Sequence, residues 1–434
     1  MTLRSILSKA AIVVLVVDFA QLHGIAGGHD LRLWQLIVLF MGLLLLLKKR
    51  LVLDSKLLVF IFILLVHTVI TFFVFGVNWF SLIQVGLVGG LAVVCFSLAR
   101  TVTPDGFIKA YYKAALIISW SVLLEQLLYQ LWPGIGDTVI YDYMPLYDEM
   151  GFMIRAHGLM MEPSQLALVI PPALYLSLEQ KSKKGILLFS AALVSSMSML
   201  AFIGAIVALF IYFSRERKIG FRSLAVFLGA LIVGLSIVIV SDPVKDRIAA
   251  ISKAASYISK DMPMVKELHR ELGGTVGALM VNFRAALMAL IETGGLGVGL
   301  GKFGVAFDEY VYWEWGITKQ EVKEKYNILF HNVETSGSIF LRSVAELGVL
   351  GILLWILTAL WMSKIIAFIW KRDMPDGGDS GIRRKAIAMA FIIMIPYILR
   401  KDGYFNIYLL FPLMAMYAFS RNRKVIRFSL RKSI

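Results

Sequence analysis

The sequence predicts an all-α polytopic membrane protein with about twelve transmembrane helices and one large extracytoplasmic helical loop. Three observations predict it. First, hydrophobic residues make up 59% of the 434 positions and charged residues only 17%, where a soluble globular chain carries roughly a quarter charged; the mean hydropathy is +0.78. Second, runs such as Leu57–Phe75 and Ser223–Val240 approach the roughly 20 apolar residues that cross a bilayer. Third, Lys and Arg gather in short stretches between apolar runs: KKR at 48–50, KSKK at 181–184, RERK at 215–218, RRK at 383–385, and a basic tail from Arg421 to Lys432. This is how cytoplasmic loops are charged under the positive-inside rule. The net charge of +15 therefore does not mark a nucleic-acid surface. The single cysteine, Cys95, lies within an apolar run, which leaves neither a disulfide framework nor a thiolate metal site.

The elements follow in order. Candidate spans fall near 10–25, 31–47, 57–75, 79–98, 110–132, 164–178, 222–240, 348–370, 384–399 and 404–420. Ala10–Gly24 has no small-residue cleavage site after it and is expected to be a retained span rather than a signal peptide. Gly185 to Phe213 is apolar for about 29 residues and has basic stretches at both ends. Both flanks belong on the cytoplasmic side, so the stretch is expected to cross twice, as a tight hairpin of short helices broken near Ser195–Ser198. A half-buried helix within 333–347 is expected to lead into the next span.

Four regions result. Residues 1–132 hold the N-terminal spans, and 133–240 hold a first outer segment followed by the central spans. Residues 241–337 form the large outer loop, and 338–434 hold the C-terminal spans. The chemistry is expected in the two outer segments, roughly 133–163 and 241–337, because polar side chains are costly in hydrocarbon.

The first outer segment ends in RAHGLMMEPSQLA, residues 155–167. Pro163 suits the first position of a helix, where a missing N–H costs nothing, and Glu162 stands at the cap position. The second outer segment contains NFRAALMALIETGGLGVGLGKFGVAF, residues 282–307. Here Arg284 sits on an otherwise apolar helix that runs into alternating glycines at 295, 297, 299 and 301. This is not a Walker-type phosphate loop, since Leu296 stands where the first glycine belongs and Phe303 follows the lysine. The glycines are expected to allow a tight turn and close backbone approach. Finally, His331 and Asn332 precede the apolar stretch at 338–356, and Arg342 and Glu346 have the i, i+4 spacing of a helical ion pair.

No H-E-x-x-H, Cys/His metal spacing or G-x-S-x-G elbow is present, and no D-x-D or E-x-D occurs in the outer segments. No metal and no cofactor are expected. A transporter would be expected to show repeated halves, whereas the only large loop lies in the second half; Asp18, His67 and Glu125 are the only obvious buried polar candidates for a transport path.

Three stretches resemble the O-antigen polymerase and ligase superfamily. RAHGLMMEPSQLA looks like the R-x-x-G-x-x-x-E-P-S-x-x-A segment of polysaccharide repeat-unit polymerases. FRAALMALIETGGLGVGLGKF is similar to the family's arginine helix followed by G-x-G-x-x-x-F. HNVETSGSIFLRSVAELGVLG matches its H-N segment followed by E-x-G-x-x-G. The family's proline before the glycine turn is replaced here by Gly294 and Gly295.

The resemblance implies a GT-C-like membrane glycosyltransferase in the bacterial inner membrane, with its site facing the periplasm. The substrate it implies is a polyprenyl-diphosphate-linked oligosaccharide; membrane lipids are further partners, a chain-length regulator is a candidate one, and nucleic acid is not. Arg155 and Arg284 are the candidates to hold the diphosphate, joined by Arg400 and Lys401. Arginine suits this role because its planar fork pairs two phosphate oxygens and stays charged. His331 is the candidate base for the attacking sugar hydroxyl, with Glu162 orienting it or replacing it. Asn332, Ser164, Gly299 and Gly301 are candidates to position substrate. The polymerase reading is preferred over a ligase that transfers polymer to lipid A–core because of the E-P-S segment. A lipid-linked sugar flippase is the alternative from another class.

Overall fold

The computed structural model describes residues 21–26, 29–48, 50–76, 79–132, 149–150, 153–154, 156–160, 163–215, 280–312, 338–370, 378–400 and 407–420. The fold is helical. Its helices are α1 Leu33–Leu47, α2 Ser55–Phe75, α3 Trp79–Thr101, α4 Pro104–Leu131, α5 Ile170–Glu179, α6 Lys183–Ser196 and α7 Met199–Arg215. After them come α8 at residues 280–292, α9 Phe303–Phe307, α10 Ile339–Leu347, α11 Val349–Trp370, α12 Gly378–Arg400 and α13 Ile407–Ser420.

Among the described residues, four helices (α2, α3, α4 and α11) are long and apolar enough to cross a membrane. Their surfaces suit that role: Phe62, Phe73, Trp120 and Leu357 are each more than half exposed, which water would penalise and lipid would not.

The ends of the helices are set by local chemistry. Asp54 caps α2 by accepting from the Lys56 amide, and α2 stops at Gly76, whose φ is 83°. Thr103 caps α4 by accepting from Gly106, with Pro104 at the first helical position. Ser182 caps α6 in the same way.

The stretch from Gly185 to Phe213 breaks where the sequence predicts. Helix α6 ends at Ser196, Met197 takes a left-handed conformation with φ 44°, and α7 begins at Met199. The two helices run in opposite senses through the bundle. Ser195 near the end of α6 accepts from the Ala156 amide at one end, and Phe210 near the end of α7 meets Trp370 at the other. At 1.5 Å per residue they are about 21 and about 26 Å long.

Two expectations need correction. The candidate span at 10–25 ends in a strand, because Gln21–Ala26 pairs antiparallel with His29–Arg32, and α1 starts only at Leu33. Gln21, His23 and Gly24 are poor material for the end of a buried helix. The first 20 residues lie outside the described set. The candidate span at 164–178 is not one α-helix: Pro163–Leu168 is a 3-10 helix and α5 begins at Ile170. Pro171 and Pro172 supply no amide hydrogens and restrict the residues before them, so an α-helix cannot run through from Pro163. A second short strand pair, Glu149–Met150 with Met153–Ile154, precedes this segment.

The core joins α3, α4, α5, α6, α7, α12 and α13. Phe107 is fully buried and meets the rings of Tyr111, Phe411 and Phe419 at tilted angles. Contacts between helices sort their ends into two groups. At one end Tyr417 donates to Asp54 at 2.8 Å, the Tyr112 and Ser177 hydroxyls lie 3.1 Å apart, and Lys385 pairs with Glu179 at 3.2 Å. That last pair brings the KSKK and RRK stretches to the same end, as the charge pattern predicts. The glycine turn and the loop at 156–160 lie at the opposite end.

Candidate functional site

Two loops define the end opposite the basic stretches, and each is fixed to the bundle by a buried carboxylate. The first is the stretch around Ala156–Met160. Glu125, 9% exposed on α4, accepts from the His157 amide at 2.9 Å and from the Gly158 amide at 2.5 Å through the same oxygen. Its other oxygen lies 3.4 Å from His157 Nε2. One turn earlier on α4, the Ser121 hydroxyl accepts from the Leu159 amide at 3.0 Å. Gly158 has φ 62°, and a side chain there would run into the Ser121 hydroxyl and the Val122 backbone. The motif glycine is required by this close approach.

The second loop is the glycine turn, residues 293–302, between α8 and α9. Its organising group is Glu346 on α10, whose side chain is fully buried. Glu346 accepts from the Gly301 amide at 2.7 Å, from the Phe303 amide at 3.1 Å and from Arg342 Nε at 2.8 Å. The expected Arg342–Glu346 pair is thus present, but it is half of a larger arrangement. The turn also binds the end of α10 through its backbone: Val298 donates to the Ala345 carbonyl and Gly299 to the Glu346 carbonyl, both at 2.9 Å, and the Val349 amide donates to Gly295 at 2.8 Å. The first two satisfy carbonyls that the end of α10 otherwise leaves open, and the third an amide at the start of α11.

The glycines fit this role. Residues 294, 295, 297, 299, 301 and 348 all have positive φ. A side chain on Gly297 would come within 2.5 Å of the Gly348 nitrogen, and one on Gly348 would run into the Gly295 carbonyl. Two backbones cross here with no room for Cβ.

The turn is wedged against α2 and α3. His67 Nε2 lies 2.9 Å from the Leu296 carbonyl, and Leu300 is buried with Leu64, Val85 and Leu347. Irregular backbone at such a depth is tolerated only where protein covers it, and here its amides are almost all engaged. Burial pushes the Glu346 carboxyl above the ordinary glutamate range, against the downward pull of Arg342 and of the Gly301 and Phe303 amides.

The expected site residues divide as follows. Arg284 lies half-buried on α8, which runs into the turn as predicted. Ser164 is 4% exposed in the first turn of the 3-10 helix that Pro163 opens. Gly299 and Gly301 lie in the glycine turn with their amides bonded to the Glu346 carbonyl and carboxylate. Arg400 closes α12. Helix α12 packs against both the 3-10 helix and α10, which ties the two motif regions to one support. Arg155, Glu162, His331, Asn332 and Lys401 lie outside the described residues.

Sequence reasoning undervalued Glu125 and Glu346. Glu125 had a signal: a carboxylate inside an apolar run with no basic residue one turn away must find donors elsewhere. Comparison of the chain with protein-family models and with curated proteins finds no match.

Proposed function

We propose that this chain is a metal-independent membrane glycosyltransferase that polymerises polyprenyl-diphosphate-linked oligosaccharide repeat units into a surface polysaccharide. The observation that carries the reading is the shared placement of two motif loops. Ala156–Met160, from the R-A-H-G-L-M-M-E-P-S motif, and the glycine turn that follows the arginine helix are far apart in sequence. Both lie at the end of the bundle opposite the basic loops, and each is held by a buried carboxylate that accepts two backbone amides. A site that must orient a diphosphate and an acceptor needs loops fixed in this way, because productive geometry is lost with small displacements.

In this reading Arg284 and Arg155 take the charge that develops on the leaving diphosphate, with Arg400 and Lys401 beside them. His331 removes the proton from the attacking sugar hydroxyl, and Glu162 orients it or holds the acceptor. Asn332 and Ser164 position substrate, and the turn containing Gly299 and Gly301 does so through its shape. The protein works in the bacterial inner membrane with about twelve spans, a GT-C-like fold and a periplasmic site.

The ligase reading uses the same arginines and histidine and differs in the acceptor. The flippase reading loses support, because two of its three polar groups are engaged in holding loops. Glu125 binds the His157 and Gly158 amides, and His67 lies against the Leu296 carbonyl; Asp18 lies outside the described residues.

The test is transfer by the purified full chain in nanodiscs supplied with a lipid-linked repeat unit. The expected product is a ladder of lengthened lipid-linked polymer, formed with EDTA present and lost in His331→Ala. Transfer of preformed polymer to lipid A–core without ladder formation would establish the ligase instead. A strict requirement for added Mg²⁺ would refute the arginine-only mechanism.

A further inference from the structure

The glycine turn resembles a phosphate cradle at first sight, with five glycines of positive φ preceding a lysine. Counting its amides shows that it is not one. Gly294 donates to Ile291, Gly295 to Leu290, Leu296 to Thr293, Val298 to Ala345, Gly299 to Glu346 and Lys302 to Gly299. Gly297 donates to the Thr293 hydroxyl, and Gly301 and Phe303 donate to the Glu346 carboxylate. A phosphate cradle works by aiming free amides at the anion, and from 294 to 303 only the Leu300 amide has no bond of this kind. Any anion at this turn has to be met by a side chain.

One side chain is suited to it. Lys302 lies between the two residues whose amides Glu346 holds, so its backbone is pinned on both sides. Its ammonium makes no hydrogen bond or ion pair among the described residues. The side chain is partly buried, with its stem lying alongside Gly299, and burial lowers its pKa from the ordinary lysine value. A partly desolvated cation without a counter-ion is a cost to the fold, and a bound anion relieves it.

Its depth is also right. Gly299 faces Thr71, and Gly301 faces Phe80 and Gln84. Thr71 is about 6 Å from the end of α2 at Phe75, and Phe80 and Gln84 lie in the first two turns of α3. Lys302 thus sits just inside the ends of two membrane-length helices, at the level where a lipid carries its phosphates. It ends the turn that follows Arg284's helix.

We propose that Lys302 is a phosphate-binding residue, the one contact that the glycine turn makes with the diphosphate of the lipid-linked donor. This rests on the transferase reading above. Glu346 is then a positioning residue, since its carboxylate holds both neighbours of Lys302.

The test is the affinity of the full-length protein for undecaprenyl diphosphate in phosphatidylcholine nanodiscs. A second arm measures retention of phosphatidylglycerol, which carries phosphate without the diphosphate. Lys302→Met is expected to weaken diphosphate binding at least about tenfold, the scale of one lost charge-assisted contact, and to leave phosphatidylglycerol retention unchanged. Lys302→Arg is expected to stay within about threefold of wild type. The Lys302 side chain holds no other group, so both variants fold; Lys302→Gln serves as a second neutral variant. Unchanged diphosphate affinity in Lys302→Met overturns the inference and leaves the transferase reading standing. An equal loss for both lipids overturns it too, because the lysine then reads only an anionic membrane surface. A wild-type protein that does not bind the diphosphate lipid overturns the inference and the transferase reading together.

Discussion

Replacing Glu346 with alanine tests how far one carboxylate organises the glycine turn. The substitution strands three donors: the Gly301 amide, the Phe303 amide and Arg342 Nε. A buried donor left unsatisfied costs about 1–3 kcal/mol, more when it is charged. The donor on fully buried Phe303 counts in full, whereas Gly301 is half-buried and the Arg342 side chain is 15% exposed, so water recovers part of their loss. The expected cost is therefore about 3–5 kcal/mol, the same scale as breaking a buried ion pair. Glu346→Gln retains the volume and one acceptor oxygen but turns an NH₂ group toward a donor, and about 2–3 kcal/mol is expected. Glu292→Gln, at an exposed position on α8, is the control and should fall within about 0.5 kcal/mol of wild type. Unfolding in mixed micelles, followed by tryptophan fluorescence, measures all three. If unfolding proves irreversible, the half-life at fixed temperature replaces the equilibrium constant. A cost below about 1 kcal/mol for Glu346→Ala would refute the clamp and reduce Arg342–Glu346 to an ordinary helical pair.

Other outcomes follow from the same geometry. Because folding raises the Glu346 pKa, the folded chain holds this proton to higher pH than the unfolded one. Its contribution to stability is then greatest below the ordinary glutamate range and declines as pH rises through the raised value; pH-dependent unfolding should lose that part of its slope in Glu346→Gln. Gly348→Ala places a Cβ against the Gly295 carbonyl, whereas Gly304→Ala meets nothing within 4 Å. The first should abolish stable expression and the second should shift the unfolding midpoint little. Glu125→Ala should speed hydrogen exchange at the His157 and Gly158 amides while leaving exchange in α6 unchanged, as read by mass spectrometry. In a Cys95→Ser background, cysteines at Lys184 and Lys385 should react with an impermeant maleimide from one side of the membrane and a cysteine at Lys302 only from the other. Labelling of all three from one side would undo the assignment of the two ends.

What the sequence revealed and what it hid divide along physical lines. Hydropathy and charge report transfer energies, which are nearly local, so membrane-length helices and the break near Met197 were legible in short windows. The glycines were legible as a turn because positive φ is a property of single residues. Pro171 and Pro172 were equally visible, and their local effect on backbone conformation explains why the 3-10 segment precedes α5. The end of the first candidate span misled because hydropathy averages over its window, and Gln21, His23 and Gly24 are diluted by the apolar residues before them.

The two clamps belong to a different category. Arg342 and Glu346 are four residues apart, and spacing alone identifies them as a pair. It does not indicate that Gly301 and Phe303, more than forty residues away, supply the other donors. Glu125 likewise takes its partners from a loop over thirty residues later. Yet the need for such partners is a local fact. A carboxylate in an apolar run that lacks a basic residue one turn away has to collect backbone amides, and amides are free only where the chain is irregular. In a helical membrane protein that means a loop with glycines or a sharp turn. Glu125 satisfies this condition, and Glu346 collects two amides beyond its helical partner Arg342; both bind stretches in which glycine lets the backbone come close: Gly158 in one, Gly297 through Gly301 in the other. The acid in the apolar helix and the glycine-bearing loop are therefore two halves of one signal, visible separately in the sequence and joined only by the fold.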